Sequence, residues 1–303
     1  MKDRHPFLSV IILVYHDDQF LKNCLSSLFL ALKKAKVSYE LIFVANDIAL
    51  KKSKFNFPNR SRVIFNRKNV GFAKAFNQGA KLSSGRWLLS INPDTISDSD
   101  LLKNLLLHTK NSYVGAVTPK ILNPDGTLQF TITNDFTIKN LIIEQFYIHK
   151  MFPWFFSSPQ SDPRHYEKPH AVDFSFGTCF LIRSSLFKLI SGFCEDFFLY
   201  LEDYDFCKKV RGAGYYIMFE PKAIQIHFGS RSNKGYKDGK AYLRSVCQYV
   251  LHGHNRYYTY VLISILWIGS FFRYLYWIFQ LYFLKKDFSL KKVSFYRTLL
   301  FAK

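Results

Sequence analysis

The chain opens on an unbroken apolar run followed by a helical stripe. Leu8-Ser9-Val10-Ile11-Ile12-Leu13-Val14-Tyr15 is β-branched and nearly free of polar positions, the pattern of a strand covered on both faces. Phe20, Leu21, Cys24, Leu25, Leu28, Phe29 and Leu32 then recur at three- and four-residue spacings, which predicts one apolar helix face. Leu41-Ile42-Phe43-Val44 and Val63-Ile64-Phe65 read as further strands, the first leading into Ala45-Asn46-Asp47 and the second into Asn66–Gly71. A helix over about 73–82 ends at Ser83-Ser84-Gly85, and Trp87-Leu88-Leu89-Ser90-Ile91 is the next strand. Strand, helix, strand, strand, helix, strand predicts an α/β sheet with parallel elements, whose ligands collect at the carboxyl ends of the strands.

Beyond residue 91 the pattern is less regular. Ser99 or Asp100 is placed to cap a helix over 101–109, and 115–120 reads as a strand. The segment 153–169 carries four prolines and few periodic apolar positions, so it reads as a loop. Strands are predicted over 176–182, 216–219 and 224–227, and a helix over 203–213 ending at Gly214.

Composition narrows the class. A chain of 303 residues with 49% apolar content can bury a substantial core. Cys24, Cys179, Cys194, Cys207 and Cys247 are scattered with no CxxC pair, and Cys24, Cys179 and Cys207 fall in apolar or helical stretches, which predicts buried thiols and a reducing compartment. The N-terminus, Met1 to Pro6, runs into a strand with no signal-peptide pattern. The net charge is +20, and residues 231–303 hold 13 Lys/Arg against 2 Asp/Glu among many aromatics. Basic plus aromatic fits either nucleic acid or an anionic membrane surface. The unbroken apolar character of 257–284, with Arg273 as the one charge, favours the membrane and argues against nucleic acid. A helix or helical pair lying in the interface suits this pattern. A true span with Arg273 in a protein contact, and a soluble helical or dimer interface, are the alternatives.

Four segments carry candidate chemistry. Asn69-Val70-Gly71 to Asn77-Gln78-Gly79 sets a glycine and two asparagines around a helix N-terminus, where free N–H groups favour an anion or polar ligand. An ordinary turn and amphipathic helix would use the same residues. Asn92-Pro93-Asp94-Thr95 aims Asp94 outward from a strand end, as needed to hold Mg2+ or Mn2+ against a phosphate; a turn built for its geometry is the alternative. Glu202-Asp203-Tyr204-Asp205 opens a helix, where acidic residues also complement the macrodipole. The apolar run 197–201 before it predicts desolvated carboxylates of raised proton affinity, suited to a general base. His227 ends a strand and is either a metal ligand or a satisfied structural histidine.

Taken in order, Val10–Tyr15, Asn69…Gly71-Phe72-Ala73…Asn77-Gln78-Gly79, Asn92-Pro93-Asp94-Thr95, Gly177…Arg183, Gly192-Phe193…Glu202-Asp203…Cys207, Ala213-Gly214-Tyr215 and His227…Gly229-Ser230 resemble the family 2 glycosyltransferases. The bacterial rhamnosyltransferase-type branch is the most similar. The resemblance implies a GT-A fold, a Rossmann-like mixed sheet, over residues 1–232, with 233–303 as a basic, aromatic, helical appendage associated with the membrane. It also implies inversion at the anomeric carbon, a nucleotide-sugar donor (dTDP-rhamnose favoured, UDP- or GDP-sugars as alternatives) and a divalent cation. Asp94 would coordinate that cation and His227 would close its site. Asp203 would deprotonate the acceptor hydroxyl, with Glu202 assisting. Tyr15, Asn46, Asn69, Gly71 and Asn77 would line the nucleotide pocket, and Gly177 would let backbone pass close to the donor sugar.

The acceptor implied is a glycan or lipid-linked oligosaccharide of bacterial surface polysaccharide synthesis, at the cytoplasmic face of the inner membrane. A homo-oligomer is compatible with it. Two departures stand out. Ala45 occupies the place where the family usually has a nucleoside-contacting aspartate, which leaves Asp47 to substitute after a shift in the turn or the base to be held differently. His16 follows Tyr15 where asparagine is frequent. The rivals are a non-catalytic membrane-surface or nucleic-acid binding protein and a phosphoryl-transferring enzyme, and no GxxxxGK[ST] pattern supports the latter.

Overall fold

The double-sided apolar runs pair in parallel. The structure, a computed structural model, describes residues 5–15, 20–47, 57–152, 154–156, 158–229, 245–246, 248–249, 256–283 and 289–301; His16, Ser230 and Cys247 lie outside these. β1 (Leu8–Val14) lies between β2 (Tyr39–Ala45) and β4 (Trp87–Ile91), and β3 (Arg62–Phe65) extends β2. In register, Val10 sits between Leu41 and Leu89. Alternate residues of β1 serve opposite layers, which is why the run carries no polar face. Val10 and Ile12 pack with Cys24, Leu25 and Leu28 of α1 (Leu21–Ala35), while Ile11 packs with Ala73, Phe76 and Ala80 of α2 (Phe72–Leu82). Gly79 lets α2 sit close on the sheet, since a Cβ there would lie 2.7 Å from Ile11 Cγ2.

The second half reverses direction. β5 (Thr95–Ser97) and α3 (Leu101–Leu106) lead to β6 (Val114–Leu122). Short strand β7 (Ile132–Thr133), α4 (Ile138–Gln145), α5 (Ile148–Met151), β8 (His170–Val172) and β9 (Phe174–Ser175) follow. β10 (Cys179–Arg183) then runs antiparallel between β4 and β6. α6 (Ser184–Leu189) and α7 (Glu202–Gly212) lead to β11 (Tyr216–His227), which is parallel to β6 and takes β5 and β8 on its other side. The result is a nine-stranded mixed sheet plus the β7–β9 pair.

Several elements differ from the reading of the pattern. The strands expected over 216–219 and 224–227 are one, β11, whose register shifts between Glu220 and Ile224 because Pro221 cannot donate to the ladder. The strand expected from 176 begins at Cys179, with Gly177 and Thr178 in a turn. Asp100 occupies the N-cap of α3 without capping it; its carboxylate meets Lys34 Nζ at 2.6 Å. In the proline-rich segment, 163–166 forms a single 3-10 turn. α4, capped by the Thr137 hydroxyl accepting from Asn140 N at 3.2 Å, carries no strong periodic signal.

The C-terminal apolar blocks form one helix, α8 (Arg256–Tyr282), followed by α9 (Ser289–Phe301). α8 is long and apolar enough to cross a membrane, with 17% of its most apolar window buried. Part of it rests on α4: a Cβ on Gly269 would lie 2.6 Å from Gln145 Cβ, and Leu262 is buried in the same cluster as Phe76 and Phe206. Arg273 donates from Nε to Gln145 O at 3.0 Å and from a terminal nitrogen to Glu144 O, at the carbonyl end of α4. Its remaining nitrogen reaches Tyr296 Oη at 3.2 Å. The one charge in the apolar stretch is therefore spent on protein.

Candidate active site

Strand direction gathers the candidates. Tyr15, Asn46, Asn66 and Asn92 each follow the last residue of one of the four parallel strands, so all lie on the carboxyl edge. Because β10 is antiparallel to β4, with Cys179 opposite Ile91, the turn before β10 returns to that same edge. Asn92 N donates to Thr178 O at 3.2 Å, and Gly177 N donates to Asp203 Oδ2 at 3.0 Å. One two-residue turn thus joins the Asp94 loop to the opening of α7. Asp94 and Asp203 lie on the two flanks of this turn.

Asp94 is buried at 7% exposure. Its loop is fixed by Thr95 Oγ1 donating to Asn92 O at 2.6 Å and by Phe228 N donating to Asp94 O at 3.0 Å. The β5–β11 pairing sets Thr95 opposite His227, and His227 Nε2 stands 3.5 Å from Asp94 Oδ1. The other ring nitrogen, Nδ1, is 3.0 Å from Gln129 Oε1. The Gln129 amide nitrogen has both hydrogens committed, to His227 O at 2.9 Å and Asn123 Oδ1 at 2.7 Å. Its oxygen must therefore accept, and Nδ1 must donate. In the neutral ring Nε2 presents a lone pair toward a carboxylate oxygen. An imidazole lone pair and a carboxylate facing each other fit a divalent cation. Among the described residues no group of three or more His, Cys, Asp or Glu gathers, so such an ion would complete its shell from water and substrate oxygens.

Asp203 and Glu202 are both buried, at 9% and 7% exposure. Asp203 accepts from Gly177 N and, at 2.9 Å, from Tyr204 N. Burial raises the proton affinity of both carboxyls, and for Glu202 the Asp203 charge adds to it. Among the described residues Glu202 Oε2 is buried without a hydrogen-bond partner, whereas both Asp203 oxygens have one. The environments push the two apart: Glu202 is the last to lose its proton and Asp203 is the stabilised anion. Asp205, two residues on, is half-buried and pairs with Lys209 at 2.7 Å one turn along α7.

The remaining candidates divide. Asn46 is buried and fully occupied: Nδ2 donates to Asn69 Oδ1 at 2.7 Å, and Oδ1 accepts from Val70 N and Asn66 Nδ2, both at 3.1 Å. Asn69 Oδ1 also accepts from Gly71 N at 2.9 Å. These two asparagines shape the turn at the carboxyl edge. Gly71, at φ +85°, is pressed against Phe198, whose carbonyl would lie 2.5 Å from a Cβ and accepts from Phe72 N at 3.2 Å. Asn77 is spent elsewhere, donating to Phe193 O at 2.8 Å and accepting from Phe193 N at 3.1 Å. It ties α2 to the segment before α7. Ala45 is fully buried, and Asp47 lies beside it at the surface edge. Gln129 escaped sequence reasoning, since no spacing links it to a histidine 98 positions away.

Against known proteins, the fold is that of the GT-A class. A mannosyltransferase of Pyrobaculum calidifontis, solved with GDP-Man and Mn2+, superposes with a TM-score of 0.59 at 12% identity, over 99% of this chain and 88% of that one. The family pattern "Glycosyl transferase family 2" matches residues 9–191, and the chain belongs to that family. An N-acetylglucosaminyl-diphospho-decaprenol L-rhamnosyltransferase of Mycobacterium tuberculosis is 24% identical over 241 residues, 74% of this chain and 77% of that protein. A low-salt glycan biosynthesis hexosyltransferase of Haloferax volcanii is 25% identical over 209 residues. That match takes in 67% of this chain and spans 61% of the haloarchaeal protein's length.

Proposed function

We propose that the chain moves a sugar from a nucleotide-diphospho-sugar to a hydroxyl of a glycan or lipid-linked acceptor, with inversion, in bacterial surface polysaccharide synthesis. The favoured donor is dTDP-rhamnose, in line with the rhamnosyltransferase relative. The observation that carries the reading is the shared turn, Gly177-Thr178, hydrogen-bonded to the Asp94 loop on one side and to Asp203 on the other.

Asp94 and His227 hold a divalent cation, Mg2+ or Mn2+, in this reading; such an ion offsets charge on the departing diphosphate when bound. Asp203 takes the acceptor proton. Its two N–H donors keep the carboxylate ionised and aimed, and burial keeps it basic. Glu202 retains its own proton and orients the acceptor through the unpartnered Oε2. Tyr15, Asp47 and the Asn46–Asn69–Gly71 turn border the nucleotide. Residues 1–232 are the catalytic unit and 233–303 its appendage, at the cytoplasmic face of the inner membrane. α8 lies in the interface in this reading, because residues 262–276 are backed by α4 and cannot be wrapped by lipid on all sides.

Screening nucleotide sugars by thermal shift with Mn2+, followed by transfer assays on the stabilising donor, tests the assignment. Absence of stabilisation and transfer across the dTDP-, UDP- and GDP-sugars would overturn it.

A further inference from the structure

We propose that the exposed apolar group Met151, Phe152, Trp154 and Phe155 is a second membrane-insertion element beside α8, and that its occupant is an anionic phospholipid surface. This rests on the membrane reading above and specifies its geometry.

Met151, Phe152, Trp154 and Phe155 are 63%, 43%, 72% and 77% exposed. Four large apolar side chains within five positions face outward, in a chain that buries Phe174, Phe180, Phe193 and Phe197 almost completely. The described residues of this group are held by specific contacts. Phe155 N and Phe156 N both donate to Phe152 O, at 3.1 and 3.0 Å. The Phe152 and Trp154 rings meet edge to face at 6.3 Å. Ser158 Oγ donates to Glu144 Oε1, tying the far end back to α4.

Two ring contacts tie the segment leading into this group to α8. Phe146 meets Phe272 at 6.0 Å and Tyr147 meets Tyr276 at 6.3 Å, so the chain enters the apolar group from beside the exposed row Phe272, Leu275, Tyr276 and Phe279. Charge selects lipid over a second copy of the chain. Lys150 is exposed and lies 4.7 Å from the centre of the Tyr147 ring, and Lys139 is exposed on α4. The nearby acid, Glu144, is turned to Ser158 and His149. Aromatic rings at headgroup depth beside lysines match an anionic interface.

The test uses the full chain and its Trp154→Glu/Phe155→Glu variant. Both positions are exposed, so an unchanged melting temperature is expected. Vesicles of phosphatidylglycerol and phosphatidylethanolamine should bind the variant at least about tenfold less in sedimentation. Transfer to a lipid-linked acceptor should fall in step, while transfer to a short water-soluble acceptor is kept. That soluble assay reports the proposed reaction independently of the membrane contact. Equal vesicle binding by the two proteins would overturn the inference. So would a wild type that ignores vesicles but shifts from dimer to monomer on substitution, which would make the turn an interface between copies.

Discussion

Gln129 grips His227 at two points, its amide oxygen 3.0 Å from the ring Nδ1 and its amide nitrogen 2.9 Å from the backbone carbonyl. The grip sets which ring nitrogen carries hydrogen and leaves Nε2 facing Asp94. Gln129→Leu should weaken Mn2+ binding about 10–100-fold, measured by titration calorimetry or by the free-ion paramagnetic resonance signal. Gln129→Glu keeps an acceptor for Nδ1–H and should recover part of the loss. Nitrogen chemical shifts of the His227 ring should move in the leucine variant; an unaltered tautomer there would remove Gln129 from this role.

Asp94→Ala should abolish the cation dependence of donor binding while leaving the fold intact, because Asp94 supports its loop through the backbone carbonyl. Donor calorimetry with and without Mn2+ reads this directly. Equal affinity under both conditions in the wild type would count against a metal at Asp94.

Asp203→Asn should lower transfer by roughly 10²–10⁴-fold with donor affinity retained. The amide keeps the size and one acceptor for Gly177 N, so the shared turn should survive. Near-full activity in a folded variant would end the assignment of the base.

The buried pair also predicts a pH dependence of stability. Both carboxyls have folded proton affinities raised above their unfolded values. Their contribution is therefore complete below the ordinary carboxylate range and is lost as pH rises through the raised folded values. Glu202→Gln removes the ionisation that costs most. It should flatten this decline and stabilise the protein at about pH 8 by about 1–3 kcal/mol. Thermal melts across pH settle the sign.

Two glycines at the site should respond differently. Gly71→Ala sets a Cβ 2.5 Å from the Phe198 carbonyl at φ +85°, and should destabilise by about 1–3 kcal/mol or more. At Gly177 a Cβ meets nothing nearer than 3.6 Å, so Gly177→Ala should melt like the wild type. If substrate passes over this turn, its transfer rate falls with no change in stability. Comparing melting temperature with activity for the two variants separates packing from substrate clearance.

The local elements were legible because their causes are local. Apolar runs at Leu8–Val14 and Trp87–Ile91 cannot hide their apolar residues except between two layers, and the three- and four-residue spacing of α1 leaves one way to wind. A proline before Asp94 at a strand end, and acids at a helix start, are equally short-range signals. Only the tertiary structure decided what these residues meet. Asn46 and Asn77 look like ligand-facing amides in sequence, yet their hydrogen bonds close on Asn69 and Phe193. Gln129 gains its role from β6–β11 pairing, since its N–H donates to Ile121 O and Leu122 lies opposite Ile226, and Asp203 from the return of β10 beside β4. Arg273 reads as a charge stranded in an apolar run until α4 offers its carbonyl end. Side-chain spacing records the period of a helix or strand. It does not record which distant segments share a sheet edge, because that choice is made by burying whole layers at once.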